Sequence, residues 1–67
     1  MDLQPYQQRV IEEHHELEER RSKLLIFLGT EQFKALPGAE QERMARQFDY
    51  MTGYAIVLRE RIEAFST

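Results

Sequence analysis

Apolar residues in the second half of the chain alternate in steps of four and three along the sequence. This spacing places side chains on one side of a helix and is typical of a seam packed against a partner helix. The seam residues are Met44, Phe48, Met51, Ala55, Leu58, Ile62 and Phe65. The pattern therefore predicts a long helix over about residues 39–64.

The first half carries a second helical pattern, which ends at the stop signal formed by Gly29 and Thr30. Pro5 suits the first turn of such a helix, because its fixed backbone angle and missing N–H group cost nothing there. Its apolar positions are Val10, Leu17, Leu24 and Leu28. We predict a helix over about residues 4–28.

The segment between the two helices is short and folded. Thr30 can cap a short helix over about 31–36, before Pro37 and Gly38 end it. A short connector makes the two long helices pack antiparallel as a hairpin. The sequence thus predicts an all-α chain with residues 1–67 in one domain.

The second long helix carries another stripe, formed by Tyr50, Tyr54 and Val57 and rotated roughly 100° from the first. One partner helix cannot cover both stripes. A chain of 67 residues without cysteine also has few other means of stabilisation. We therefore expect the hairpin to assemble into a homo-oligomeric helical bundle.

Charge and hydropathy exclude several functional classes. The net charge is -3, so the chain has no overall basic field to attract duplex nucleic acid or a membrane surface. The longest apolar run, over 24–28, is too short to span a bilayer, and the N-terminus has no signal-peptide core. The sequence predicts a soluble, cytoplasmic protein.

No catalytic constellation or metal site is expected. Glu12 and His15 have the Glu-x-x-His spacing of di-iron bundles, but that site needs the motif twice and the second helix has no histidine. No nucleophile and base combination or Gly-rich phosphate loop is present. We predict a non-enzymatic protein without a cofactor, whose histidines and carboxylates are mostly the solvated side of a helix.

The first helix carries a set of residues suited to nucleotides within an arc of roughly 100°. An aromatic ring can stack on a base, and cations can pair with phosphates. The set is Tyr6, Arg9, Arg20 and Lys23. Tyr6 and Lys23 are about 25 Å apart along one helix, so only two antiparallel copies could bring these ends together.

Charged residues at seam positions and on the helix surface leave alternatives open. Arg21 interrupts the seam of the first helix, and Arg61 continues the tyrosine stripe. Each arginine either extends to solvent or an ion pair, or faces an anion held between subunits. The spacing also predicts two ion pairs within the first helix, Glu16–Arg20 and Glu19–Lys23.

Three stretches carry a resemblance to a known family: YQQRVIEEHHELEERRSKLLIFL, EQFKALPGAEQERMARQ and YMTGYAIVLRERIEAF. Together they cover nearly the whole chain. Their layout, including the RVIEE opening and the L-x-E-R-I-x-x-F ending, resembles small phage-encoded helical proteins of the anti-CBASS cyclic-oligonucleotide sponge family.

The resemblance implies compact hexamers of helical hairpins that hold cyclic nucleotides from host immune synthases without degrading them. It implies that Tyr6 stacks on a base and that Lys23, or alternatively Arg20, meets the phosphates. It also implies a separate pocket for cyclic trinucleotides, for which Arg61 is the candidate. The expected partners are therefore cyclic di- and trinucleotides and other copies of the chain.

The predicted function is sequestration of these messengers by a phage protein in the infected bacterial cell. An interaction module is the rival hypothesis, in which the Tyr50 and Tyr54 stripe binds a host protein. It predicts no nucleotide binding, so the two hypotheses can be separated by direct titration.

Overall fold

The computed structural model describes residues 2–66, which form three helices. The long helices α1 (Pro5–Leu28) and α3 (Gly38–Ala64) pack against each other, and the one-turn helix α2 (Glu31–Lys34) lies between them. Residues 2–66 include no strand. The all-α class predicted from the sequence is confirmed, and so is the packed pair of long helices.

Local hydrogen bonds account for where the helices begin. The Gln4 backbone N–H donates to the side-chain oxygen of Gln7 at 2.7 Å, so one free donor at the start of α1 is satisfied. Thr30 precedes α2, and its hydroxyl oxygen accepts the Phe33 N–H at 3.2 Å. These contacts satisfy backbone groups that have no partner inside their own helix.

The connector is fixed to both long helices. The amide of Gln41 donates to the carbonyl oxygens of Lys34, at 3.1 Å, and of Leu36, at 2.8 Å. The rings of Phe27 and Phe33 meet edge to face with their centroids 6.1 Å apart. The chain therefore reverses direction through a structured turn, which sets the antiparallel arrangement of the long helices.

The interface between α1 and α3 is a narrow apolar seam. Four side chains are buried among the described residues, and Met51, Ile62 and Phe65 pack against them. The buried residues are Val10, Leu17, Ala55 and Leu58. All four occupy predicted seam positions, and Leu58 is fully inaccessible to solvent. The heptad seam predicted from the sequence is therefore confirmed as the interface between α1 and α3.

The hairpin is elongated, with principal extents of 50 × 14 × 14 Å. Its radius of gyration is 15.3 Å, whereas a compact domain of this length has about 11 Å. Many large apolar side chains consequently remain open to solvent, among them Ile26 at 72% and Tyr50 at 70% exposure. Within residues 2–66, neither long helix has a stretch apolar enough to cross a membrane.

Arg21 has partners inside its own chain. Its guanidinium donates to Glu18 at 3.0 Å and to the Thr52 hydroxyl at 3.5 Å, and it lies 5.5 Å from the centre of the Phe48 ring. These contacts join the connector-proximal parts of α1 and α3. The Nε atom of Arg21 is buried and has no hydrogen-bond partner among the described residues.

The Arg21 hydrogen bond also changes the acidity of Glu18. It holds the pKa of the Glu18 carboxyl below its usual range, because the bond favours the charged form, and the charges of Arg21, His14 and Arg59 act in the same direction. Desolvation opposes the shift. The ionised carboxylate is therefore preferred in the folded state.

Replacing Leu58 with alanine tests the seam. Leu58→Ala should lower the free energy of unfolding by about 2–5 kcal/mol, since it leaves a cavity at the best-buried position. Urea denaturation at one fixed protein concentration measures the loss. Leu25→Ala removes the same atoms from a site that is 54% exposed and should cost clearly less. Equal losses would contradict this description of the core.

Glu18 should contribute to acid sensitivity. Its lowered pKa means that the carboxylate stabilises the fold above the unfolded-state pKa of about 4.3, and that this contribution disappears as the pH falls through the lower folded-state value. Glu18→Gln should thus lower the free energy of unfolding near neutral pH and reduce its fall as the pH drops below about 4.3. The effect should be small because the side chain is 36% exposed.

Urea denaturation as a function of pH measures this difference. Glu12→Gln is the matched control, because Glu12 is an exposed carboxylate of the same helix that forms no ion pair with any residue in 2–66. A Glu18→Gln curve that parallels the wild-type curve would rule out the stabilising role of the carboxylate.

Candidate functional site

One hydrogen bond joins the sides of the two long helices into a single surface. The Tyr54 hydroxyl donates to the carboxylate of Glu13, so the side of α1 that bears Glu13 continues into the side of α3 that bears Tyr54. Helical spacing places further residues on these two sides. We call this surface the tyrosine face; it comprises Tyr6, Arg9, Glu13 and Arg20 of α1 and Arg46, Tyr50, Tyr54, Val57 and Arg61 of α3.

Contacts along the hairpin fix the register of the two helices. Tyr6 touches Phe65 at the open end, and Arg21 lies over Phe48 towards the connector. Because the helices are antiparallel, each step forward along α1 corresponds to a step back along α3. Arg9 is therefore about level with Arg61, and Arg20 is about level with Tyr50.

The tyrosine face thus carries two clusters of aromatic and basic residues. The open-end cluster consists of Tyr6, Arg9 and Arg61. The connector-end cluster consists of Arg20, Arg46 and Tyr50. Arg9 and Arg20 are separated by eleven positions of the same helix, which corresponds to about 16 Å. One small ligand cannot span both clusters of a single chain.

The ring of Tyr6, in the open-end cluster, packs against a residue of the helix seam. It meets the Phe65 ring edge to face, with centroids 6.2 Å apart and planes at 83°. Phe65 itself packs against the apolar core. Tyr6 keeps 52% of its surface exposed, so it is both supported and available for contact.

The predicted cations of the tyrosine face are exposed. Arg9, Arg20 and Arg61 form no ion pair within residues 2–66. The expected pair Glu16–Arg20 does not form between these described side chains, nor does Glu19–Lys23, so this prediction is wrong. Surface pairs of this kind gain little over hydration, which explains why the spacing alone was a poor guide.

Lys23 lies apart from the tyrosine face. It lines an open groove of about 360 Å³ together with His15, Glu18, Glu19, Ser22 and Ile26. Lys23 thus stands among acidic neighbours, whereas Arg20 is on the side of Tyr6. The set Tyr6, Arg9, Arg20 and Lys23 is therefore not brought together within one chain.

The connector-end cluster adjoins an open groove of about 440 Å³ on α3. The groove is lined by Arg43, Arg46, Gln47, Tyr50, Met51 and Tyr54. Arg43 is engaged by Glu40 at 2.8 Å, whereas Arg46 forms no ion pair with the described residues. The sequence interpretation did not include Arg46. Its spacing of four residues before Tyr50 was the available signal.

The histidines and carboxylates of α1 do not gather around a common point. His15 is exposed, and the closest acidic atom to His14 is a Glu18 oxygen at 4.0 Å. No group of three or more potential metal ligands occurs within residues 2–66. The aromatic and basic residues of the tyrosine face are therefore the candidate site, because rings can stack on bases and guanidinium groups can pair with phosphates.

Comparison with known proteins supplies an independent test of the family resemblance. No curated protein and no solved structure matches the chain. The sequence model of the Sequestin family matches residues 4–64, which include nearly all of α1, α2 and α3. The match confirms the resemblance to anti-CBASS sequestering proteins. The chain belongs to the Sequestin family.

Proposed function

We propose that this protein binds and sequesters cyclic di- and trinucleotide immune messengers without cleaving them. The family name denotes sequestration, and the sequence resemblance supplies the class of ligand. In this proposal the protein is a phage anti-defence factor that acts in the cytoplasm of the infected bacterial host. Withholding the messenger leaves the host effector unactivated.

The observation that carries the proposal is the composition of the tyrosine face. Tyr6 is half exposed and braced by Phe65, and arginines without an ion pair among residues 2–66 stand beside it. Arginine forms paired hydrogen bonds to phosphate, and a tyrosine ring stacks on any base. A cyclic oligonucleotide offers both groups at fixed separation.

Assembly of several copies, as a hexamer in this proposal, would complete the pockets. Two hairpins related by a two-fold axis and running antiparallel would place the open-end cluster of one copy beside the connector-end cluster of the other. In such a junction Tyr6 would stack on a base. Arg20, rather than Lys23, would meet the phosphates, since it shares a face with Tyr6.

Arg61 belongs to a second proposed pocket for cyclic trinucleotides. It is exposed near the end of α3 and about level with Arg9, so two guanidinium groups stand together at the open end of each hairpin. Several hairpins meeting at this end would present a ring of such groups. A ligand with three phosphates fits a ring better than a two-fold junction.

Sequestration of this kind is stoichiometric. The protein lowers free messenger only while its sites outnumber the messenger and bind it more tightly than the effector does. A dissociation constant of about 1 nM corresponds to roughly 12 kcal/mol of binding free energy. Rigid stacking surfaces and paired phosphate contacts supply affinity without a reaction step.

A protein-binding module is the second candidate function. Tyr50 is 70% exposed, and tyrosine and arginine are the residues that contribute most at protein interfaces. In this case a host protein would cover the tyrosine face. Nucleotides would then have no specific site.

Tyr6→Ala should abolish tight binding of cyclic dinucleotides while leaving assembly intact. The ring is half exposed and makes one aromatic contact, so its removal costs a stacking surface rather than the seam. Isothermal titration with a panel of cyclic di- and trinucleotides measures affinity, and light scattering after gel filtration measures assembly. Ligand recovered after denaturation should be chemically intact.

Tyr6→Phe is the matched control, because it keeps the ring and should retain most of the affinity. Absence of heat with every member of the panel for the wild-type protein would rule out the proposed function. Binding by Tyr6→Ala at wild-type affinity would instead remove Tyr6 from the pocket.

A further inference from the structure

We propose that Tyr50, Arg46 and Arg20 form a second nucleotide contact, in which a base stacks on Tyr50 and a phosphate pairs with the two arginines. The inference rests on the proposed function, and it adds Tyr50 and Arg46, which the family resemblance does not supply. It concerns the connector-end cluster, about 16 Å along α1 from the cluster that contains Tyr6.

Two of the three side chains, Arg46 and Tyr50, line one groove, and Arg20 lies on the neighbouring helix at the same end of the tyrosine face. Arg46 and Tyr50 are four residues apart and therefore lie on adjacent turns, about 6 Å from each other. Arg20 stands across the groove between the helices at the level of Tyr50, as the contact of Arg21 with Phe48 requires. Packed helices are separated by about 8–10 Å, a span that a nucleotide can bridge.

The exposure of Tyr50 is the strongest sign that something covers it. The residue is 70% exposed, although it lies near the centre of the long helix α3. It borders a groove of about 440 Å³ whose lining combines the rings of Tyr50 and Tyr54 with the arginines Arg43 and Arg46. Such a ring offers a flat apolar surface next to positive charge, which is the arrangement that binds nucleotides of any sequence.

The charges around Tyr50 favour an anionic ligand. Neither Arg20 nor Arg46 is neutralised by an ion pair within residues 2–66. Glu13, the acidic residue that joins the helices on this face, is already occupied by the Tyr54 hydroxyl. Of the α3 carboxylates, Glu60 and Glu63 lie ten and thirteen residues beyond Tyr50. Glu42 and Asp49 flank Arg46 at helical spacing, but neither forms an ion pair with it.

The same charges argue against direct stacking of two tyrosine faces in register. Such a contact would bring Arg46 of one copy close to Arg46 of another, and like charges at an interface cost binding energy. An anionic ligand between the copies removes this repulsion. In an antiparallel pair, a base could then lie between Tyr6 of one copy and Tyr50 of the other.

Two substitutions test the proposal, each with a matched control. Tyr50→Leu removes the stacking ring, and Tyr50→Phe retains it. Arg46→Gln removes one guanidinium from the tyrosine face. Its control, Arg59→Gln, removes a guanidinium from an exposed position on another side of α3. Arg59 also forms no ion pair with a residue in 2–66.

The probe is 3′,3′-cyclic GMP–AMP, titrated calorimetrically into the full-length chain, with light scattering to follow assembly. We expect Tyr50→Leu to weaken binding by about 5- to 150-fold, since one stacked base contributes that much. Arg46→Gln should weaken binding by about 10- to 150-fold, because it removes a charge-assisted contact to a phosphate. Tyr50→Phe and Arg59→Gln should bind within about twofold of wild type. Assembly should be unchanged in all four variants.

Three outcomes would overturn the inference. Wild-type affinity in both Tyr50→Leu and Arg46→Gln, with binding still lost in Tyr6→Ala, would refute the second contact while leaving the proposed function intact. Disassembly of Tyr50→Leu would identify the patch as a contact between copies of the chain. Failure of the wild-type protein to bind any cyclic nucleotide would refute the proposed function itself.

Discussion

Two packed helices can each bury only one stripe of side chains, and this limit governs the rest of the structure. The seam contains four buried residues among those described, centred on Leu58. Apolar groups of α1 and α3 that lie away from this seam must stay at the surface, be covered by a polar neighbour, or meet another molecule. The exposed rings at Tyr6, Tyr50 and Tyr54 follow directly from that geometry. A binding surface on this hairpin therefore consists of the side chains that the seam between the two amphipathic helices leaves exposed.

Polar contacts between the helices determine how these exposed side chains are arranged. Arg21 occupies a seam position, yet its bonds to Glu18 and Thr52 and its place over Phe48 turn an interruption of the apolar pattern into a link between helices. The hydrogen bond between Tyr54 and Glu13 does the same at the surface. Together these contacts fix the register of the antiparallel pair. The register, in turn, decides which cations of α1 stand opposite which aromatic residues of α3.

The seam could be predicted from the sequence because buried apolar residues recur at a regular spacing. The arrangement of side chains on the helix surfaces could not be predicted in this way. Met51, Ala55 and Leu58 repeat at heptad spacing, which has one simple interpretation. The spacing of surface cations does not reveal their partners, since these depend on the register of the helices and on flexible side chains. Spacing suggested that Lys23 belongs with Tyr6, whereas Lys23 lines a groove with Glu18 and Glu19. The position of Arg20 at the level of Tyr50 follows only from the register of the two packed helices.

The order in which the hairpin closes follows from its connector. Residues next to Pro37 are close in sequence, so their contacts close short loops, whereas Tyr6 and Phe65 are joined by nearly the whole chain. We therefore expect the open end to form last and to separate first in local opening. On this expectation, the ring of Tyr6 lies in the part of the hairpin where backbone amides should exchange fastest with solvent. Any molecule that holds the two helix ends together will slow that exchange, whichever surface of Tyr6 it touches.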